Sequence, residues 1–344
     1  MRQSRRWTAG VSAALFVTSA ALVAMLPVPY VTYSPRPSVD LLAADSPISI
    51  AGAQVYDATG ELRMTLVSRT PFDAQLSLPE VLAAYWLPDR EALPREGVYA
   101  AGTNALEVEE RDTRGMAAAQ SDAVVAGLRA AGIPVQQYPM VTAVAASGAA
   151  VDKLKPGDLI LRVNTTPVAD AAAIAAELEK HNVGDTVMVS ILRDGEETAE
   201  VITTRATTAK PNTPVLGVTL DLGYSYTPQV TFAEPEQVAG GSSAGLVYAL
   251  AIYDLLTEND LVAGRVIAGS GTIDANGAVG TVSAVREKIA GAAADGASVF
   301  LIPKGNCVDA QDTAGITLVA VESLSEAISA LNALAAGSGA PGCQ

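Results

Sequence analysis

The stretch MVTAVAASGAAVDKLKPGDLILRVNTTPVADAAAIAAELEKHNVGDTVMVSILRDGEETAEVI, residues 140–202, decides how this chain is read. Its order is strand, short helix, a Lys155-Pro156-Gly157-Asp158 turn, strand, helix, strand, an Asp194-Gly195 turn and a last strand. Alternating apolar residues mark the strands, Pro and Gly punctuate the turns, and Asp170 stands where an N-cap belongs before an Ala-rich helix. The expected class is α+β, with mixed sheets packed by helices.

Upstream, residues 114–131 (RGMAAAQSDAVVAGLRAA) predict a helix with Gly132 and Pro134 as stop signals. ISIAGAQVYD and ELRMTLVSRT alternate with period two around Gly60 and predict a hairpin or meander, preceded by a short linker, PRPSVDLL. Downstream of Pro214 come two long apolar strands, LGVTLDLGY and PQVTFAEP, and then QVAGGSSAGLVYALAIYDLLT, a Gly-Ser turn opening an apolar helix. The segment GRVIAGSGTIDANGAVGTVSAVREKIAGAAADGASVFLIP predicts strand, Asn276-Gly277 turn, a short return, a helix carrying Lys288 and a buried strand.

Composition removes several chemistries. The chain has 344 residues, 22 Lys+Arg against 37 Asp+Glu for a net charge of −15, and a single histidine, His181. One histidine and two distant cysteines, Cys307 and Cys343, supply no usual metal-ligand set, so no metal is expected. His181 lies in the charged stretch ELEKHN, a poor place for a triad base. The acidic balance argues against nucleic acid as a partner, and the absence of a Gly-Lys dipeptide excludes a Walker A loop.

The N-terminus opens MRQSRRW, with Arg2, Arg5 and Arg6 ahead of an uncharged apolar run over residues 8–33. As one helix that run would span the roughly 30 Å of bilayer hydrocarbon, with Trp7 and Tyr30 near the two interfaces and the basic tip inside. Residues 1–35 are therefore expected to be a cytoplasmic tip and a single-pass transmembrane anchor in the cell membrane. A cleaved signal peptide, with Ser19 and Ala21 near its cleavage site, is the competing reading. Either one places the rest of the chain outside the cytoplasm, away from ATP. There Cys307 and Cys343 can pair as a disulfide or stay as two thiols.

The residues of the Gly-Ser turn carry the chemistry. Gly240, Gly241, Ser242 and Ser243 precede the apolar helix, so a serine hydroxyl would stand where free backbone N–H groups can hold an oxyanion; the plainer reading is an N-cap. A serine nucleophile needs a base, and a lysine serves if burial lowers its pKa from about 10.4. Val285, Ile289 and Ala290 around Lys288 permit such burial, whereas Arg286 and Glu287 suit an exposed lysine.

Two resemblances organise these observations. LKPGDLILRVN followed by a helix and VMVSILRDGEE resembles PDZ domains of the bacterial protease type, over residues 138–208. The resemblance implies a groove for an extended peptide between strand residues 140–145, with Val141, Thr142, Ala143 and Val144 as contacts, and the helix over residues 171–178. YPMV stands where a carboxylate-binding glycine is expected, and a spacer that binds nothing is the alternative. GGSSAG together with residues 264–303 resembles the proteolytic domain of the Lon family, more closely the exported PDZ-containing Lon-like peptidases of bacteria.

That second resemblance implies Ser243 as nucleophile, Lys288 as base 288 − 243 = 45 residues on, Ser270 orienting the lysine, and Ser242 and Gly241 in the supporting loop. It implies an ATP-independent, membrane-anchored serine endopeptidase acting on exported proteins or peptides, without a cofactor, and assembled as a hexameric ring. The domains follow: residues 41–137 and 209–335 are two parts of a Lon-like domain, with the PDZ domain inserted at 138–208 and a tail at 336–344. Ser242 replaces the family's proline, Ser283-Ala284 a glycine pair, and Gly240 an acidic residue of some members. The alternative is an inactive PDZ adaptor, or pseudoprotease, at the membrane. GGSSAG also resembles the phosphate loop of galactokinase and mevalonate kinase type enzymes, a reading opposed by export and by Lys288.

Overall fold

The computed structural model describes residues 2–87, 89–208, 210–233, 241–310 and 315–343. Two compact units divide the chain: Ile133–Pro228 is one, and the flanking stretches Met1–Gly132 and Gln229–Gln344 form the other. The second, or host, unit is built on a six-stranded sheet. Its order is Thr317–Val321, Val299–Pro303, Val266–Gly269, Glu61–Arg69, Tyr30–Asp40 and Glu91–Pro94. The first four strands run parallel and the last two are antiparallel additions. Val299–Pro303 is buried at every position, which explains its unbroken apolar run: strands covered on both faces do not alternate.

Helix Val285–Ala294 makes the crossover between the parallel strands Val266–Gly269 and Val299–Pro303, and packs on Tyr30–Asp40 and Glu61–Arg69. Helix Gly245–Leu255 is apolar around its circumference because helices Ala105–Ala130 and Leu324–Ala335 cover it. The first crossing is tight at Gly127, where an added Cβ would lie 2.9 Å from the Ala249 carbonyl oxygen.

Several expectations are corrected here. The helix predicted at residues 114–131 begins earlier, at Ala105, because Asn104 and Glu107 form a capping box: Glu107 N donates to Asn104 Oδ1 and Asn104 N to Glu107 Oε2. ISIA does not pair with ELRMTLVSR as a hairpin. Ile48–Ala51 pairs instead with Gln229–Phe232, while Glu61–Arg69 sits between Val266–Gly269 and Tyr30–Asp40. Gly60, at φ +95°, fits against the backbone of Arg265, whose carbonyl oxygen would be 2.3 Å from a Cβ.

The supposed linker PRPSVDLL lies largely in strand Tyr30–Asp40, its pairing slipping between Arg36 and Val39 where Pro37 falls. The apolar run over residues 8–33 is not one helix. Helix Arg2–Met25 stops before Pro27 and Pro29, which lack the N–H to continue it, and strands follow. Among the described residues no helix is long and apolar enough to cross a membrane. The tail is not loose: Ala320 N donates to the Pro341 carbonyl, and Cys343 is disulfide-bonded to Cys307.

The inserted unit has a sheet of order Glu196–Thr203, Thr186–Arg193, Leu159–Val163, Val135–Val144 and Val218–Tyr226. Val141, Ile160, Val163, Val189 and Ile191 fill its core with Ile174 and Leu178 of helix Ala171–Leu178. Asp170 caps that helix, accepting from Ala173 N at 2.7 Å. The unit runs about twenty residues past the expected boundary at residue 208, since Val218–Tyr226 is one of its strands and not part of the host.

Candidate functional site

Ser243 lies in the 3₁₀ turn Ser242–Ala244 that leads into helix Gly245–Leu255. Gly245 lets this start approach Ile273 closely, since a Cβ there would meet Ile273 Cγ2 at 2.9 Å. The turn is tied to the residues after strand Val266–Gly269: Gly271 N donates to the Ser243 carbonyl at 2.9 Å, and Leu246 N to the Gly271 carbonyl at 3.0 Å. Ser270 Oγ adds a second donor to the same Ser243 carbonyl at 3.0 Å. Gly241 and Ser242 are exposed and Ser243 is half-buried, so the serine stands at the protein surface on a fixed backbone.

Lys288 comes in from helix Val285–Ala294. Its side chain is buried, and Nζ donates to Ser270 Oγ at 3.0 Å. Ser270, itself 1% exposed, thus accepts from the lysine and donates to the Ser243 backbone. Burial lowers the Lys288 amine from its ordinary 10.5 to about 8, against the opposing charge of the neighbouring Glu287. Glu287 is buried as well, and burial raises its carboxyl above the ordinary value. Three residues expected to act together, Ser243, Ser270 and Lys288, therefore share one hydrogen-bonded chain. Among the described residues the lysine's hydrogen bond goes to Ser270 and none joins it to Ser243 Oγ.

The depressed lysine has a consequence for stability. The unfolded chain holds its proton up to pH 10.5 while the folded chain releases it near 8, so between these values the unfolded state binds more protons and stability rises with pH. Below pH 8 the folded state carries the whole cost of a buried charge, about 3 kcal/mol at 1.36 kcal/mol per pH unit. Lys288→Met should raise stability at pH 7 and remove the rise between pH 8 and 10.5. Urea unfolding of both proteins across that window checks this; equal pH slopes would place the native amine in water.

In the inserted unit the expected contact strand is already occupied. Val144, Ala143, Val141 and Met140 pair with Val218, Thr219, Leu220 and Asp221, and Val141 N also donates to the Asp158 carbonyl. Thr142 sits at the register shift of that ladder, its hydroxyl donating to the Thr219 carbonyl. The edge strand of the sheet is Val218–Tyr226, whose Val218 and Leu220 pack on the same core as Ala173 of the helix. Residues 141–144 lie on an inner strand, so the backbone open to an added strand on this side of the sheet is that of Val218–Tyr226. Gly217, at φ +75°, precedes this strand and packs on Gly148, whose Cα would be 2.6 Å from a Cβ at Gly217. That glycine, in Leu216-Gly217-Val218, is the local signal for where this edge strand begins.

The KPGD turn is held by charge. Asp158, 1% exposed, accepts from Lys155 N at 2.7 Å and from Arg193 Nε and Nη2 at 2.7 Å each, and Arg193 Nη2 also reaches the Lys153 carbonyl at 2.9 Å. His181 is likewise in this unit, its Nε2 3.0 Å from Asn164 Nδ2.

A family model described as the PDZ domain matches residues 110–203, beginning inside helix Ala105–Ala130. No curated protein matches the chain. Among solved structures, the PDZ domain of the SdrC-like protein of Listeria monocytogenes is 25% identical, covering 24% of this chain and 86% of its own, with a TM-score of 0.23. The corresponding domain from Listeria innocua is 21% identical over 24% of this chain and 92% of its own, TM-score 0.23. GtR34C of Geobacillus thermodenitrificans is 26% identical over 24% and 94%, TM-score 0.22. The chain contains a PDZ domain, whose sheet and core lie within Ile133–Pro228.

Proposed function

We propose that the host unit is a serine endopeptidase independent of ATP, with Ser243 as nucleophile and Lys288 as general base, and that the PDZ unit captures extended peptide along Val218–Tyr226. The observation that carries this reading is the buried Lys288 amine, lowered to about 8 and joined through Ser270 to the Ser243 backbone. A neutral amine takes the Ser243 hydroxyl proton as Oγ bonds to the scissile carbonyl carbon. The backbone N–H of Ser243, in the turn that leads into helix Gly245–Leu255, then holds the oxyanion. Collapse breaks the C–N bond as Lys288 returns the proton to the leaving amine, and water hydrolyses the acyl-serine.

The place of action is outside the cytoplasm, at a membrane. The Cys307–Cys343 disulfide suits an oxidising compartment, and helix Arg2–Met25 exposes Leu15, Phe16, Val17 and Leu22, an apolar surface suited to lipid. A second reading, a PDZ adaptor without hydrolytic activity, draws on one observation: the lysine's hydrogen bond goes to Ser270 and not to the Ser243 hydroxyl. A serine-reactive phosphonate separates the two. Labelling of the full chain that disappears in Ser243→Ala supports the peptidase; no labelling up to pH 9, where the amine is mostly neutral, leaves the adaptor.

A further inference from the structure

Helix Leu78–Trp86 buries one side only: Val81 and Ala84 face the protein, while Leu82, Tyr85, Trp86 and the following Leu87 stand exposed. Tyr85 and Trp86 are 76% and 75% exposed, unusual for side chains of that size. The helix packs against Arg2–Met25, and the two line an apolar cleft of about 570 Å³ between Phe16, Val23, Leu78, Leu82 and Trp86. Among the described residues no charged side chain lines it. Glu80, the acidic residue of the helix, is turned onto the helix N-terminus, its Oε2 accepting from Ser77 N and Ser77 Oγ at 2.7 Å each. Phe16 belongs both to this cleft and to the exposed apolar residues of Arg2–Met25, with Leu15, Val17 and Leu22 beside it in sequence or one helical turn or two away.

We propose that this joint surface inserts into a lipid bilayer with anionic headgroups, helix Leu78–Trp86 lying in the interfacial layer beside helix Arg2–Met25. The proposal rests on the membrane attachment put forward above and names a second element of it. Tyr and Trp favour the depth where an apolar body meets hydrocarbon and a polar tip meets water. Asp89 and Arg90 follow three and four residues after Trp86. At the head of the partner helix the sequence carries Arg2, Arg5 and Arg6, cations that complement anionic headgroups.

The chain has two tryptophans, Trp7 and Trp86, so Trp7→Phe leaves Trp86 as the single reporter. This full-length variant is mixed with phosphatidylcholine–phosphatidylglycerol vesicles, with or without brominated acyl chains. The expected result is a blue-shifted Trp86 emission, at least a twofold loss of it with brominated lipid, and shielding from acrylamide. Flotation of the protein with the vesicles reads attachment through Arg2–Met25 separately. Flotation with Trp86 still open to acrylamide and unquenched by bromine leaves the attachment standing and overturns the insertion of Leu78–Trp86. Shielding that depends on protein concentration and not on lipid overturns it in favour of a second copy, and failure to float overturns both.

Discussion

Ser243→Ala and Lys288→Met are each expected to reduce hydrolysis of an unfolded protein such as casein at least ~10³-fold, because nucleophile and base act as one unit and the loss of either removes nearly all of their joint effect. The double variant should be little worse than either single one, the non-additivity expected of a dyad. Wild-type activity should rise with pH through about 8, since the amine acts only when neutral and at pH 7 about a tenth of it is. Ser270 bonds both Lys288 and the Ser243 backbone, which makes it a positioning residue: Ser270→Ala should keep measurable activity but shift the pH midpoint, whereas Ser270→Thr should retain most of the wild-type profile. Cleavage by Ser243→Ala at the wild-type rate would end the assignment of the nucleophile. A midpoint far from 8, unchanged in Ser270→Ala, would end that of the base.

How much of this could be read beforehand depends on how local each feature is. The KPGD turn, the helix capped by Asp170 and the strands around them were legible because alternation, Pro-Gly and an N-cap act within a few residues. The buried strand Val299–Pro303 and the helix carrying Lys288 were legible for the same reason. The earlier start of helix Ala105–Ala130 had a local signal too, Asn104 three residues before Glu107, hidden by a charged first stretch that obscures the apolar period. Pairing partners were not legible. Ile48–Ala51 finds Gln229–Phe232 across the inserted unit, and an apolar strand carries no mark of which edge it will join. The same limit hides the sheet edge, because Val218–Tyr226 reads as one more apolar strand until it is seen beside Val135–Val144. The bonds from Lys288 to Ser270 and from Ser270 to the Ser243 carbonyl are tertiary contacts that spacing alone does not show.

Arg193→Met should destabilise the PDZ unit by about 3–5 kcal/mol, the range for removing one partner from a buried, hydrogen-bonded ion pair. Asp158 is the reason. Its carboxylate is 1% exposed, so without the guanidinium fork it would keep only the Lys155 N–H and lose its counter-charge away from water. Asp158→Asn in the Arg193→Met background removes that stranded charge and should recover part of the loss, a double-mutant test of the pair itself. Small domains have only about 5–15 kcal/mol in total, so Arg193→Met should leave the unit partly unfolded near 37 °C and strip protection from its amides in hydrogen exchange. Peptide capture along Val218–Tyr226 should then be lost, since that edge exists only while Val135–Val144 holds its register. Phosphonate labelling of Ser243 should persist, because Ser243, Ser270 and Lys288 belong to a unit whose sheet and core are its own. If labelling disappears together with peptide binding, the serine depends on the PDZ unit being folded and the two functions are not separable. If Arg193→Met instead melts like the wild type, the Asp158 carboxylate finds water or another donor and the ion pair is not what holds the turn.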